Sequence, residues 1–158
     1  MQRTSDRRRI ALIAFSLAAV LPAALARAES VRFAILGDCR GSGGEAINEP
    51  VFTEIVRQVT AADPPVQAVI VLGDLFYGVG WPQDRTRFRR WNELIAPWYD
   101  AGMAVYPVAG NHELVSYYGY DDLWIEAFPY LPDNGPEGEK KLTYSFDLGP
   151  VHVAVVQT

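Results

Sequence analysis

The sequence predicts an α/β fold in which short strands of a parallel sheet alternate with helices. Apolar segments at 31–36, 68–72 and 103–109 each end in a glycine that is followed by Asp or Asn. Between them lie two longer segments whose apolar residues recur at three- and four-residue steps, as on helices that bury one side. This alternation predicts a βαβαβ arrangement.

The strand predicted at 68–72 carries four consecutive large aliphatic residues, Val69 to Leu72. Such a run fits a strand that is covered on both faces, as in a parallel sheet with helices packed on it. Gly73 then lets the chain turn. We therefore expect Asp74 at the carboxyl end of this strand, which is the edge where open α/β sheets bind ligands.

Two helices are predicted between the strands. The first begins near Pro50, with Asn48 or Glu49 as its cap. Its predicted buried face consists of Val51, Phe52, Ile55, Val56 and Val59. The second begins with Asp84 as its cap and stops before Gly102. Its predicted core stripe consists of Phe88, Trp91, Ile95 and Trp98.

Beyond residue 113 the pattern changes. A short helix is predicted over 121–128, within a segment whose aromatic residues are Tyr117, Tyr118, Tyr120, Trp124, Phe128 and Tyr130. A loop rich in Pro, Gly and charge follows over 132–141. Residues 142–148 and 151–155 alternate between apolar and polar side chains around Gly149-Pro150, which predicts a β-hairpin with His152 on its less buried face.

The first 28 residues are predicted to be a secretory signal peptide. Arg3 and Arg7-Arg8-Arg9 precede an apolar run over 10–25, which closes with Ala26-Arg27-Ala28. An uncleaved membrane anchor is the alternative, and the break at Pro22 and the small-residue exit argue against it. The arginines also allow a twin-arginine signal. We expect an exported protein, periplasmic or secreted, without a stable membrane anchor after cleavage.

The net charge argues against a nucleic-acid-binding protein, and the cysteine count excludes an internal disulfide. Without residues 1–28, which contain five Arg and one Asp, the formal net charge changes from −5 to −9. No basic surface is then expected for a nucleic-acid polymer. A single cysteine, Cys39, cannot form an internal disulfide. It lies either in the wall of a site or, as its residue type favours, in the core as a small buried side chain.

Three predicted strands end in a glycine followed by Asp38, Asp74 or Asn111. Turn chemistry alone favours Asp and Asn at such exits. Three in succession, with His112 directly after the last, are harder to explain in that way. Oxygen ligands from Asp38, Asp74 and Asn111, with Tyr77 as a further candidate, suit divalent or trivalent metal ions, and one carboxylate can bridge two of them.

These residues resemble a known family. The motifs Gly37-Asp38, Gly73-Asp74-Leu75-Phe76-Tyr77 and Gly110-Asn111-His112-Glu113 are similar, in order and spacing, to the first three motifs of the calcineurin-like metallophosphoesterases. Tyr77 makes them similar to the purple acid phosphatase branch. The resemblance covers about residues 31–158. It implies a layered sandwich fold and hydrolysis of phosphoric esters by a dinuclear metal centre.

The resemblance also implies a role for each matching residue. Asp38 and Tyr77 would ligate the first metal, Asp74 would bridge both metals, and Asn111 would ligate the second. His112 would be the catalytic residue, which contacts the phosphoryl group or protonates the leaving oxygen, so that Asn111 and His112 both face the substrate. The implied metals are iron paired with iron, zinc or manganese.

Arg40 departs from the family pattern. It stands where many members have a metal-binding histidine and where the purple branch usually has glycine. A guanidinium cannot bind a metal ion because it stays protonated, but it could contact the substrate phosphate. The alternative, which the sequence favours slightly, is a loop arginine in solvent.

The histidine content is the second departure. The family completes its site with histidines from two later motifs, whereas this sequence contains only His112 and His152. We therefore expect residues 29–158 to be the N-terminal part of a phosphoesterase domain, with half of the site and an open sheet face. The aromatic residues over 117–130 are expected to add to that open surface.

Two other functions stay open. The chain could be an inactive remnant, or a module that binds phosphate or metal. It could also be a nucleotidase or nuclease of the same superfamily. The acidic charge favours small phosphorylated substrates over polymers, and the sequence predicts no oligomeric state.

Overall fold

The structure is a computed structural model that describes residues 30–42, 45–78, 83–114 and 120–157. The predicted signal peptide at 1–28 and the aromatic residues Tyr117 and Tyr118 lie outside this part. None of the described helices has the length and apolar character needed to cross a membrane. In chain order the elements are β1 (Phe33–Leu36), α1 (Glu49–Thr60), β2 (Ala68–Leu72), α2 (Gln83–Asp100), β3 (Ala104–Val108), α3 (Tyr120–Ala127), β4 (Tyr144–Leu148) and β5 (Val151–Val155).

The predicted α/β fold is confirmed. Strands β1, β2 and β3 form a parallel sheet in that order, and α1 and α2 make the two crossovers. Ile35 lies opposite Ile70, which lies opposite Tyr106, so these three side chains share one face of the sheet. Strands β4 and β5 form the predicted antiparallel hairpin, in which Asp147 lies opposite His152.

One side of the molecule is an aromatic core between α1 and α2. The ring of Phe52 lies 6.0 Å from the rings of both Trp91 and Trp98. The indole N–H of Trp98 donates to the carbonyl of Val56 over 3.2 Å, so this large side chain is buried without an unpaired donor. All four residues of the predicted core stripe on α2 are buried, as expected from their spacing: Phe88, Trp91, Ile95 and Trp98.

The hairpin packs against β3 through side chains. Tyr106 stacks on Phe146 with ring centroids 3.5 Å apart, and the Tyr144 hydroxyl donates to the Pro107 carbonyl over 2.6 Å. The same sheet face is open at β1 and at the carboxyl end of β2, where Ile35 is 56% exposed and Leu72 is 58% exposed. The prediction that this strand is covered on both faces was therefore wrong at Leu72. Val69 and Val71 are buried on the opposite face of the sheet, whereas the face that carries Leu72 is open at this end of the strand.

Some predicted details of the helices were also wrong. Val51 is exposed because it projects away from the interface that buries Phe52 and Val56. Asn48 occupies the cap position of α1 but makes no capping hydrogen bond with its side chain. Helix α2 begins at Gln83, so Asp84 lies in the first turn, where it is fully buried and accepts a 2.8 Å hydrogen bond from Arg87.

The aromatic residues after β3 are not all exposed as expected. Trp124 and Phe128 are buried because α3 packs on α2 and brings both rings against Phe88. Tyr130 is partly exposed, with its hydroxyl 2.9 Å from that of Tyr99. Among the residues whose burial the structure describes, the open apolar surface thus includes Ile35 and Leu72 on the sheet and Tyr130 after α3.

Candidate functional site

Asp38 and Asp74 lie at neighbouring strand ends on a backbone that few residues adopt. Their φ angles are 53° and 51°, in the left-handed region that Asp and Asn tolerate better than most side chains. The loops that carry them are joined by backbone hydrogen bonds. The Asp38 N–H donates to Gly73 over 3.2 Å, and the Arg40 N–H donates to the Asp74 carbonyl over 3.1 Å. The backbone segments that carry the two carboxylates therefore lie side by side at the carboxyl edge of the sheet.

Arg40 lies among the predicted metal ligands. Its Nε is 3.6 Å from Asp38 Oδ1 and 3.4 Å from Asp74 Oδ2, and its Nη1 is 2.7 Å from His112 Nε2. The side chain is 40% exposed and borders solvent, but these contacts distinguish it from the free loop arginine that the sequence slightly favoured. Its guanidinium links the loops after all three parallel strands.

The contact with Arg40 assigns the tautomer of His112. Arginine can only donate hydrogen bonds, so Nε2 of the neutral imidazole accepts and Nδ1 carries the proton. Nδ1 is buried and has no hydrogen-bond partner among the described residues. The backbone N–H of His112 makes a long, 3.4 Å contact with Asp74 Oδ1. The imidazole thus faces Asp74, whose Oδ2 lies 3.9 Å from the same nitrogen that Arg40 contacts.

A buried glutamate joins the loops after β2 and β3. Glu113 is 1% exposed, and its Oε2 accepts from the N–H groups of Asp74 and Gly110 over 2.9 and 2.8 Å. Its Oε1 accepts from Leu75 N–H over 2.7 Å. Burial raises the pKa of Glu113 to about 7, against the three N–H donors, which favour the ionised form. This side chain fixes the position of Asp74 relative to the segment that carries Asn111.

Two glycines allow these loops to approach each other. A Cβ on Gly110 would lie 2.6 Å from the backbone nitrogen of Asp74, and a Cβ on Gly78 would lie 1.9 Å from the carbonyl oxygen of His112. Both neighbours are backbone atoms, which cannot give way as the end of a flexible side chain can. A side chain at either position would therefore push the loops apart.

Tyr77 and Asn111 lie at the margin of this group. The Tyr77 ring is 48% exposed and lies 4.8 Å from the ring of His112, centroid to centroid. Asn111 is exposed, and within the described part of the chain its side chain makes no hydrogen bond to the group. The structure thus brings together Asp38, Asp74, His112 and Arg40, places Tyr77 beside His112, and leaves Asn111 facing solvent.

The carboxylate oxygens of Asp38 and Asp74 fit a cation bound between them. Across residues 30–42, 45–78, 83–114 and 120–157, no group of three or more His, Cys, Asp or Glu side chains is arranged to hold a metal ion. Asp38 and Asp74 nevertheless converge on one positive charge, the Arg40 guanidinium. Carboxylates that converge in this way have the chemistry that hard metal ions require. The side chain of Asp38 is 75% exposed, so this position is open to solvent.

The remaining candidate residues lie apart from this chemistry. Cys39 is buried, as its residue type suggested, and burial raises the pKa of its thiol to about 12. His152 lies on the exposed side of the hairpin, as predicted, where it contacts Asp147 over 2.7 Å. Sequence reasoning gave Glu113 no function. The available signal was a carboxylate two residues after Asn111, but its burial depends on the packing of two loops.

Comparison with known proteins gives one family and one similar structure. The sequence profile of the calcineurin-like phosphoesterases matches residues 31–153. A purple acid phosphatase from yellow lupin (Lupinus luteus) seeds has a similar fold, with a TM-score of 0.51 and 22% sequence identity. The similarity covers 78% of this chain and 23% of that one, so the chain spans under a quarter of the length of the lupin protein. No curated protein matches the sequence.

Proposed function

Because the chain belongs to the calcineurin-like phosphoesterase family, we propose that it takes part in the metal-dependent hydrolysis of phosphoric esters of small molecules, as the N-terminal part of the catalytic domain. The observation that carries this proposal is the convergence of Asp38 and Asp74 on one positive charge at the carboxyl edge of the sheet. This is the edge at which α/β proteins bind their ligands.

The proposed centre holds two metal ions, iron with iron, zinc or manganese. Asp38 and Tyr77 would hold the first ion, Asp74 would bridge both, and Asn111 would hold the second. When bound, such ions neutralise charge on the phosphoryl oxygens and activate the attacking water. Asp38 and Tyr77 are exposed, so additional residues could approach and complete the coordination of the proposed metal ions.

His112 and Arg40 are proposed to act on the substrate. The bond from phosphorus to the ester oxygen breaks as water attacks phosphorus, and the departing oxygen needs a proton. His112 Nε2 lies 3.9 Å from Asp74 Oδ2 and accepts from Arg40 in the structure, so it would deliver this proton only after Arg40 has moved away and Nε2 itself has been protonated. The Arg40 guanidinium and the Asn111 amide would donate hydrogen bonds to phosphate oxygens.

A module that binds phosphate or metal without catalysis is the second candidate. The observation that favours it is Arg40, a permanent cation among the proposed ligands. For either function we propose that residues 1–28 are a signal peptide, that residues 29–158 form the exported part, and that the protein acts in the periplasm or outside the cell. An acidic exported domain suits small phosphorylated compounds better than nucleic-acid polymers.

The direct test replaces the proposed bridging carboxylate. Asp74→Ala is expected to abolish metal binding and to reduce hydrolysis of p-nitrophenyl phosphate to the rate without added metal. Asp74→Asn, which tolerates the same backbone conformation, separates the loss of charge from a change in the loop. Metal content and turnover are measured after loading with iron, zinc or manganese.

Asp147→Ala is the matched control, because Asp147 is a carboxylate of the hairpin whose side chain is 77% exposed. It should leave metal content and turnover unchanged. Full activity in Asp74→Ala would contradict the proposed site. Metal binding without turnover in a protein that contains the whole catalytic domain would favour the second candidate.

A further inference from the structure

The position of Arg40 has a consequence for the way a metal ion enters the site. Its guanidinium is the positive charge between Asp38 and Asp74, with Nε within 4 Å of an oxygen of each. Asp74 is mostly buried, at 13% side-chain exposure, so its carboxylate has little water around it and depends on a nearby cation. Arg40 supplies that cation from within the chain.

A guanidinium cannot leave this position by losing a proton. Arginine stays protonated in proteins, unlike a lysine or histidine, whose pKa can fall until the charge is lost. A metal ion at the same carboxylate oxygens would meet a fixed positive charge at close range. The two cations cannot share the site, because like charges a few ångströms apart repel strongly in a partly buried environment.

The side chain can move without unfolding the loop. Arg40 is 40% exposed and Asp38 is 75% exposed, so the guanidinium borders solvent. Its backbone is held separately, by the N–H that donates to Asp74 and by a bridge to Ile47. Rotation of the side chain would therefore free the carboxylates while the loop stays in place.

We propose that Arg40 is an internal competitor for the metal: it neutralises Asp38 and Asp74 in the metal-free protein and must swing away before a metal ion binds between them. The inference rests on the proposed function, since it takes the metal to bind at these two aspartates. It adds a residue that sets the metal affinity of this chain. The released guanidinium stays beside the site, where a phosphate can take the place of the lost carboxylates.

The test compares metal affinity in the full chain and in Arg40→Gln. Zn²⁺ and Mn²⁺ are titrated separately by calorimetry, and free Mn²⁺ is also followed by electron paramagnetic resonance. Arg40→Gln removes a unit positive charge beside the metal. Solvent weakens the repulsion because Arg40 is partly exposed, and we still expect metal binding to tighten by about tenfold or more. Arg40→Lys keeps a positive charge that can be lost with its proton when a metal ion binds, so its affinity should lie between those of the unaltered protein and Arg40→Gln. Arg57→Gln removes the same charge from an exposed pair with Glu54 on α1 and should change nothing.

A second measurement follows the side chain itself. The Nε–H signal of Arg40 in ¹⁵N NMR, identified by its absence from Arg40→Lys, should shift when diamagnetic Zn²⁺ is added. A residue that only supports the loop would keep its signal. This readout uses the unaltered protein, so it decides the question even where circular dichroism shows that Arg40→Gln is unfolded.

The outcomes separate this inference from the proposed function. Tighter metal binding by Arg40→Gln supports the inference, and if no variant then hydrolyses phosphate esters, only the catalytic proposal fails. Equal affinities, or an Arg40 signal unchanged at Zn²⁺ saturation, overturn the inference and leave the proposed function standing. Absence of metal binding in both proteins overturns the inference together with the proposed metal centre.

Discussion

The helical side of the sheet and its carboxyl edge are built by different means. Between α1 and α2 the contacts are aromatic rings buried against each other, among them Phe52, Trp91 and Trp98. At the carboxyl edge the loops are held by backbone hydrogen bonds and by one buried carboxylate, Glu113. Loss of side-chain volume should therefore destabilise the aromatic core between the helices. At the carboxyl edge, the loss of a hydrogen-bond donor or acceptor should have the larger effect. Stability and site geometry should therefore respond to different substitutions.

The largest expected effect is on the helical side. Trp98→Ala should lower the free energy of unfolding by about 3–5 kcal/mol, because Trp98 is fully buried, packs on Phe52 and donates to Val56. Urea denaturation followed by circular dichroism measures the change. Val51→Ala, at an exposed position of α1, should stay within about 0.5 kcal/mol. Similar small losses in both variants would show that the core does not lie between these helices.

An intermediate effect is expected at the carboxyl edge. Glu113→Gln replaces one acceptor oxygen by a donor, so at least one backbone N–H loses its partner, at about 1–3 kcal/mol. Hydrogen exchange should accelerate at the amides of Asp74, Leu75 and Gly110 and not in the core of α2. Glu93→Gln, on the exposed side of α2, is the control. Unchanged protection of those three amides would refute the role of Glu113 as the link between the loops.

The smallest effect is expected on the outer surface of α1. The Arg57 guanidinium lowers the pKa of Glu54 from its usual 4.5 to about 2. A lowered carboxyl pKa means that this pair stabilises the fold above pH 4.5 and loses its effect as the pH falls towards 2. Both groups are exposed, so Glu54→Gln should change the Tm by about 1 °C or less at pH 7. A larger shift, or one that grows on acidification, would contradict this assignment.

The elements of the fold could be predicted because they depend on local patterns. The spacing of Phe88, Trp91, Ile95 and Trp98 predicted the buried side of α2, and the alternation over 142–155 predicted the hairpin. Leu72 could not be predicted, because its exposure depends on how far the hairpin extends over the sheet. Asp84 was assigned as a cap from residue type alone, whereas its pairing with Arg87 depends on where the helix begins.

The candidate site was only partly predictable for a similar reason. Strand ends place Asp38, Asp74 and the segment after Gly110 at one edge, which follows from a parallel sheet. The orientation of the Arg40 side chain does not follow from any motif, since a long flexible side chain can face solvent or carboxylates at similar cost. Likewise, the partners of Glu113 are three amides on two loops, and two of them lie more than 35 positions earlier in the chain.

The left-handed backbone at Asp38 and Asp74 also limits which variants of this site can arise. Single-nucleotide changes in an aspartate codon give Asn, Gly, Ala, Val, Glu, His or Tyr. Of these, Asn and Gly adopt a positive φ with little strain, whereas β-branched Val does so at high cost. Natural variants that lose these carboxylates yet keep the loops should therefore carry Asn or Gly at the two positions. Such substitutions would identify related proteins that have kept the fold but lost the negative charge of the site.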